Sequence, residues 1–306
     1  YTIHGYNIWG YHAVSLCIHI INGLLVYSLL LSTFRTPYFT SQKIFEHCKV
    51  KNFIAFAAAL FFISHPIQTE SVTYISQRFT SLATMFYLLS LFSYVKWRSM
   101  DIYSSTQEEC TNNNKKYYPW PLYILSLTFN LLAVFTKEIS FTLPVIIFIY
   151  EWMFFEKLST KRLLFILPFI STMLIIPLIV FSGTSEFQDI ERLLSSSTDA
   201  DKENAALVYL FTQFRVIITY LRLLILPVNQ NLDYDYPQSA DFFTPPVIFS
   251  FIFISSLILL SIFLYRKSKK INFYENKIYR LISFGVIWFF VTLSVESSVI
   301  PLRDFI

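Results

Sequence analysis

Phe53-Ile54-Ala55-Phe56-Ala57-Ala58-Ala59-Leu60-Phe61-Phe62-Ile63 runs directly into Ser64-His65-Pro66-Ile67-Gln68-Thr69-Glu70-Ser71-Val72-Thr73-Tyr74-Ile75-Ser76-Gln77-Arg78. The apolar part is eleven residues long. As a helix it covers about 17 Å, too little for a bilayer core of about 30 Å. The helix must therefore reach backward past Lys51, whose stem can snorkel, or forward into His65. Either way the polar stretch His65–Arg78 begins at or just below the membrane surface. Irregular polar backbone at that depth is tolerated only inside protein or beside a water-filled cavity. The stretch thus has two readings: an ordinary solvated loop, or the polar floor of a site that handles a charged group at the membrane surface.

The rest of the chain supports the membrane setting. Of 306 residues, 55% are hydrophobic, 19% aromatic and only 14% charged, where a soluble domain carries about a quarter charged residues. Several windows of about 17–25 mostly apolar residues have few charges, as membrane-spanning helices do. The apolar runs are continuous rather than alternating, which counts against a barrel. The expected fold is an all-α polytopic membrane protein with 1–306 as one membrane domain. The net charge of +4 gives no case for a nucleic-acid partner, because the basic residues have a topological explanation. Cys17, Cys48 and Cys110 show no metal-ligand spacing, and no disulfide is expected among them.

In order, the expected spans begin with Tyr11–Leu31, behind an aromatic belt of Tyr1, Tyr6 and Trp9. His12, His19 and Asn22 share one face of this span; the stripe either bonds neighbouring helices or lines a polar cavity. After the short span at Phe53–Ile63 come Ser81–Lys96, a hydrophilic loop over 97–118, then Trp120–Thr136 and Ile139–Phe155 around Lys137-Glu138. Leu163–Ser182 follows, and residues 183–244 form an outer-face loop that contains the segment 205–227. In that segment Thr212, Arg215, Thr219 and Arg222 fall on one face, the pattern of an amphipathic helix lying in the interface or packed over a polar cavity. Pro245–Tyr265, a basic loop over 266–280, and Leu281–Val295 complete the series.

Charge sets the orientation. With the first span running inward and 205–227 not crossing, 17 of the 24 Lys and Arg fall on inner loops and 7 outside. If 205–227 crossed, the split would be 11 inside and 13 outside. The positive-inside rule favours the first arrangement, giving about eight spans plus one interfacial helix. His65–Arg78, Lys137-Glu138, Arg215, Arg222, Asp233, Asp235, Glu296 and Arg303 then all face outward, as an outward-facing site requires.

The run His65-Pro66-Ile67-Gln68-Thr69-Glu70-Ser71-Val72 with Gln77-Arg78 resembles the transmembrane and tetratricopeptide-repeat O-mannosyltransferase family and its bacterial relatives. Thr136-Lys137-Glu138 with Leu143-Pro144 and Tyr150-Glu151 looks like that family's next motif. Gln213-Phe214-Arg215 through Tyr220-Leu221-Arg222, with Leu226-Pro227 and Asn231-Leu232-Asp233-Tyr234-Asp235, resembles a third, and Val295-Glu296-Ser297-Ser298-Val299-Ile300-Pro301 a fourth. The resemblance implies a GT-C-like helical bundle. It also implies a glycosyltransferase that moves mannose or another hexose from a polyprenyl-phosphate carrier to a protein or glycan acceptor. Transfer would take place on the outer or lumenal face of a bacterial inner membrane or the endoplasmic reticulum. The partners implied are membrane lipids, the lipid-linked sugar and the acceptor. No cofactor is implied beyond the donor; a divalent ion is conceivable at Asp233 and Asp235, but two carboxylates without a third ligand do not assign one. In such enzymes an acid in the first outer loop acts as base. The first acid here is Glu46, on the inner side, so the base is expected upstream of Tyr1 and the repeats beyond Ile306. The piece alone is then expected to be inactive.

A departing lipid phosphate needs positive charge and donors. Arg215, Arg222, Arg78 and Lys137 are the candidates, each against a plainer alternative. Arg215 and Arg222 could be a snorkelling face on any anionic lipid. Arg78 could instead pair with Glu70, and Lys137 could simply mark a tight turn with Glu138. His65, Gln68, Glu70, Glu138, Asp233, Asp235 and Glu296 are assigned positioning or structural roles. Two other classes compete: an inert membrane anchor for soluble repeats, and a transporter. Only five glycines and no visible repeat count against the transporter.

Overall fold

The computed structural model describes residues 8–40, 48–111, 119–155, 160–175, 199–231, 234, 236–269, 276–295 and 297. They are helical with no strand among them. The chain forms two compact units, Tyr1–Met173 and Leu174–Ile306.

In the first unit α1 spans Ile8–Thr33, α2 Pro37–Thr40, α3 Cys48–Ser64, α4 Thr69–Thr73, α5 Arg78–Thr111, α6 Trp120–Thr136, α7 Leu143–Phe154 and α8 Thr160–Thr172. The short apolar run is completed backward: α3 continues past Lys51 to Cys48, and its 17 residues give a length of about 26 Å. It stops at Ser64 because Pro66 cannot donate and biases the residue before it away from helix. His65 is accordingly extended, and its Nδ1 accepts from the Ile67 amide at 3.2 Å. The chain then turns by 52° into Pro66–Thr73, a ladder of short helical turns leading to Arg78.

Helix α5 corrects the expected loop at 97–118. It runs unbroken for 34 residues to Thr111, and Trp97, Arg98 and Asp101 are buried rather than solvated. The charges at 98 and 101 look like a loop because the partners beyond their own pairing, Glu151 and Arg162, lie far away in sequence. Helix α5 packs mainly against α1 and α6. At the α6 crossing Ser90 Oγ donates to the Ser126 carbonyl at 2.8 Å, and Ser126 Oγ returns the bond to Ser90 at 2.7 Å. Small hydroxyl residues allow such close approach while satisfying their own polarity.

In the second unit α9 spans Asp199–Ile225, α10 Pro245–Ser268 and α11 Asn276–Leu293. Ser261 and Ser283 make the corresponding contact between α10 and α11.

Trp9–Thr33, Ala206–Ile225 and Pro245–Ser268 are long and apolar enough to cross a membrane, and the bent pair Lys49–Ser64 with Pro66–Thr73 makes a fourth if it counts as one span. Trp120–Thr136, Arg162–Thr172 and Ile278–Leu293 are shorter apolar helices. By length and composition, then, Ala206–Ile225 can cross, whereas the charge rule lays it in the interface. Large apolar side chains are exposed along the helices, among them Phe53, Phe56 and Leu60 on α3, Ile124 and Phe135 on α6, and Phe249 and Leu259 on α10. Apolar surface on this scale suits hydrocarbon, not water.

Candidate functional site

The polar stretch is fastened to α1 by the stripe seen in the sequence. His12 Nδ1 reaches the Val72 carbonyl at 3.3 Å and His19 Nε2 the Ile63 carbonyl at 3.0 Å. Asn22 Nδ2 donates to the Ser81 carbonyl at 3.0 Å. A carbonyl only accepts, so both imidazoles must present N–H to these oxygens. Ile63 lies in the last turn of α3, whose carbonyls lack helical partners. The stripe is therefore a rack of donors that holds the segment between α3 and α5, and of its two readings the helix-bonding one is the observed one. Ser81 Oγ adds a bond to the Ser71 carbonyl at 3.3 Å.

On this rack sit the predicted residues of the first unit. His65 is buried, with its ring 4.9 Å from that of Phe61, and its cap of the Pro66–Gln68 turn makes it a shaping residue. The Gln68 carbonyl accepts from Ser71 Oγ at 2.6 Å, a local turn contact. Glu70 is half-buried on the segment beyond α3, and burial raises its carboxyl above the ordinary range. It makes no ion pair with Arg78. Instead the Arg78 guanidinium stands over the Tyr11 ring, 5.0 Å from its centroid. Its Nε and Nη2 are buried and have no hydrogen-bond partner. Arg78 is also the first residue of α5, where the helix dipole is positive and a cation is disfavoured.

Lys137 belongs to the same end of α5. It is the extended residue between α6 and the Glu138–Thr142 turn, and its Nζ donates to Thr80 Oγ1 at 3.0 Å. Thr80 Oγ1 donates in turn to Gln77 Oε1 at 2.8 Å. An amide and a hydroxyl close to Arg78 in sequence thus share its helix end, and the Lys137 ammonium is bonded to that hydroxyl. Glu138 is exposed. What this arrangement can do chemically is accept an anion: two cations with donors, one of them unsatisfied, at a positive helix end.

Further along α5, at Arg98 and Asp101, is a cluster the sequence reading missed. Arg98 Nε donates to Glu151 Oε1 at 2.7 Å, and Arg98 Nη1 to Asp101 Oδ2 at 3.3 Å. Arg162 Nη2 meets the same Asp101 oxygen at 2.7 Å, and Tyr94 donates to Glu151 Oε2 at 3.2 Å. Phe155 lies under the Arg98 guanidinium at 5.1 Å. Nearby, Thr33 Oγ1 and the Tyr150 hydroxyl are 2.7 Å apart. The cluster ties α5 to α7 and α8. The available signal was Glu151 itself: a carboxylate inside an apolar run needs a partner.

In the second unit, the predicted face of α9 is occupied by its own chain. Arg215 Nη1 donates to the Pro237 carbonyl at 3.1 Å and to Ser239 Oγ at 2.8 Å, and its guanidinium covers the Tyr236 ring at 5.1 Å. The Ser239 amide donates to Thr212 Oγ1 at 2.9 Å, and Thr219 Oγ1 and the Tyr236 hydroxyl are 3.0 Å apart. The Thr–Arg–Thr stripe therefore clasps the returning segment 236–239. Arg222 is exposed near the end of α9. Asp233, Asp235 and Glu296 lie outside the described residues.

Protein O-mannosyl-transferase TMTC2 of Homo sapiens is 28% identical over 191 residues, 60% of this chain and 19% of the human protein. Its Mus musculus counterpart is 27% identical over 190 residues, again 60% of this chain and 19% of that protein. Protein O-mannosyl-transferase F38B6.6 of Caenorhabditis elegans is 33% identical over 101 residues, 33% of this chain and 13% of that protein. Over up to 60% of its length the chain is thus similar to proteins named protein O-mannosyl-transferases. This agrees with the family resemblance carried by the four motifs. The matched stretch spans less than a fifth of each of these relatives. No family model and no solved structure matches the chain.

Proposed function

We propose that this chain is part of a membrane O-mannosyltransferase with a GT-C-like bundle of about eight spans. It takes a hexose from a polyprenyl-phosphate carrier and delivers it to a protein or glycan acceptor on the outer or lumenal face. The observation that carries this reading is Arg78. A guanidinium with two buried, unpartnered nitrogens leaves donors unsatisfied, which is costly in a folded protein unless something else supplies acceptors. Its placement at the positive end of α5 adds to the cost. A lipid phosphate relieves both, since it brings charge and acceptor oxygens together. Lys137, linked through Thr80 to Gln77, supplies a second cation to the same anion.

The roles then divide by geometry. Arg78 and Lys137 hold the phosphate and stabilise the charge that grows on it as the sugar departs. His65, His12, His19 and Asn22 keep the segment between them in shape. Arg222 faces outward as a secondary lipid contact, while Arg215 shapes the 236–239 return.

The test uses the full-length protein in membranes with labelled polyprenyl-phosphate mannose. Transfer is expected, with a loss of about 10²-fold or more in Arg78→Ala and a smaller one in Lys137→Ala. Wild-type transfer by both variants would place the phosphate elsewhere. No transfer by the wild-type protein to any acceptor would leave the anchor reading in its place.

A further inference from the structure

We propose that the C-terminal end of α10, where Arg280 of α11 packs on it, is a binding site for the headgroup of an anionic phospholipid. Four basic residues meet there: Arg266, Lys267, Lys269 and Arg280. Arg266 and Lys267 occupy the last turn of α10, and Lys269 is its C-cap. All three are exposed.

Their presentation is built rather than loose. Lys267 Nζ sits over the Tyr279 ring at 4.7 Å, and Lys269 Nζ over the Tyr265 ring at 4.7 Å. Arg280 is buried from the other helix: its Nε donates to the buried Ser268 Oγ at 3.2 Å, and its guanidinium lies 5.6 Å from the Tyr265 ring. Arg280 thereby locks the two helices, and each of the two ammoniums is seated on a tyrosine ring. No ion pair forms at Arg266 or Lys267 among the described residues.

The occupant follows from what adjoins the charges. Leu259, Leu260, Ile262 and Phe263 are exposed in the preceding turns of α10, and Ile278 and Ile282 on α11. Fixed cations above an apolar surface match a molecule with a phosphate head and acyl tails. Tyrosine belongs at that boundary depth. Basic residues immediately beyond a membrane helix each add about 1 kcal/mol toward an anionic leaflet. A soluble polyanion would gain nothing from the apolar collar. A topological role for these charges predicts no retained lipid.

The experiment uses the purified full-length protein in phosphatidylcholine nanodiscs with and without phosphatidylserine, followed by native mass spectrometry of the bound lipid. The wild type is expected to retain phosphatidylserine over phosphatidylcholine. Arg266→Gln with Lys267→Gln should lose that retention by roughly thirty-fold. Arg266→Lys with Lys267→Arg, which keeps both charges, should retain it. Lys49→Gln with Lys51→Gln, an equal loss of charge on α3, should also retain it. Retention by the 266/267 neutralised pair, or an equal loss in the 49/51 pair, would overturn the site. If the neutralised pair does not fold, loss of lipid by the folded charge-keeping pair would overturn it instead.

Discussion

Helix α5 carries an arginine near each end of its membrane stretch, and they live in opposite conditions. Arg78 opens the helix with two buried nitrogens unpartnered and only an aromatic ring for company. Arg98, twenty residues on and so about 30 Å along the axis, contacts two carboxylates that also receive Tyr94 and Arg162. The difference separates a finished interaction from an unfinished one. A buried ion cluster with its members satisfied holds helices together, and breaking it by halves is expensive. A cation with buried donors that lack acceptors is instead what a protein keeps for a ligand.

The largest expected effect lies at the satisfied end. Glu151→Ala strips Arg98 and Tyr94 of their shared carboxylate and should destabilise the fold by about 3–5 kcal/mol, read as a fall in the denaturation midpoint of the purified protein in detergent. If the midpoint holds, the cluster is not what joins α5 to α7. At the unsatisfied end, Arg78→Met should leave that midpoint unchanged or raise it, since it removes unpaired donors, while transfer activity falls by about 10²-fold. A fall in stability with activity preserved would reverse the comparison.

Smaller effects test the donor rack on α1 and the stripe on α9. His19→Ala removes the bond to the Ile63 carbonyl and should cost about 1 kcal/mol, with faster amide exchange in 64–73. Exchange confined to α1 would show that the stripe does not hold the segment. Arg215→Ala should cost about 1 kcal/mol or less and raise exchange chiefly at 236–239. A transfer defect larger than that of Arg78→Ala would return the phosphate role to Arg215.

Local arithmetic made part of this legible. The eleven-residue apolar run could not span alone, so length required α3 to grow backward or forward; that it grows backward to Cys48 is seen only in the structure. The face shared by His12, His19 and Asn22 followed from helical spacing, although spacing could not say that it meets the backbone of Ile63, Val72 and Ser81. Burial of Arg98 and Asp101 was not legible, because their neutralising partners Glu151 and Arg162 stand more than fifty residues away. The charges alone read as solvent. Arg215 shows the same limit: its spacing gave the right face of α9, but Pro237 and Ser239, which cover it, come after a turn that no periodicity announces. Arg78 was placed at the membrane surface by sequence, while its lack of a partner needed three dimensions. The family resemblance supplied motifs and order, not the contacts.

The most direct measurement is the thermal stability of the purified full-length protein with and without polyprenyl phosphate, in wild type and in Arg78→Met. Lipid that binds the folded state raises the midpoint in proportion to its affinity. The account predicts a rise for the wild type that Arg78→Met abolishes without lowering the lipid-free midpoint. An equal rise in both proteins would contradict it, because Arg78 would then have no part in holding the phosphate.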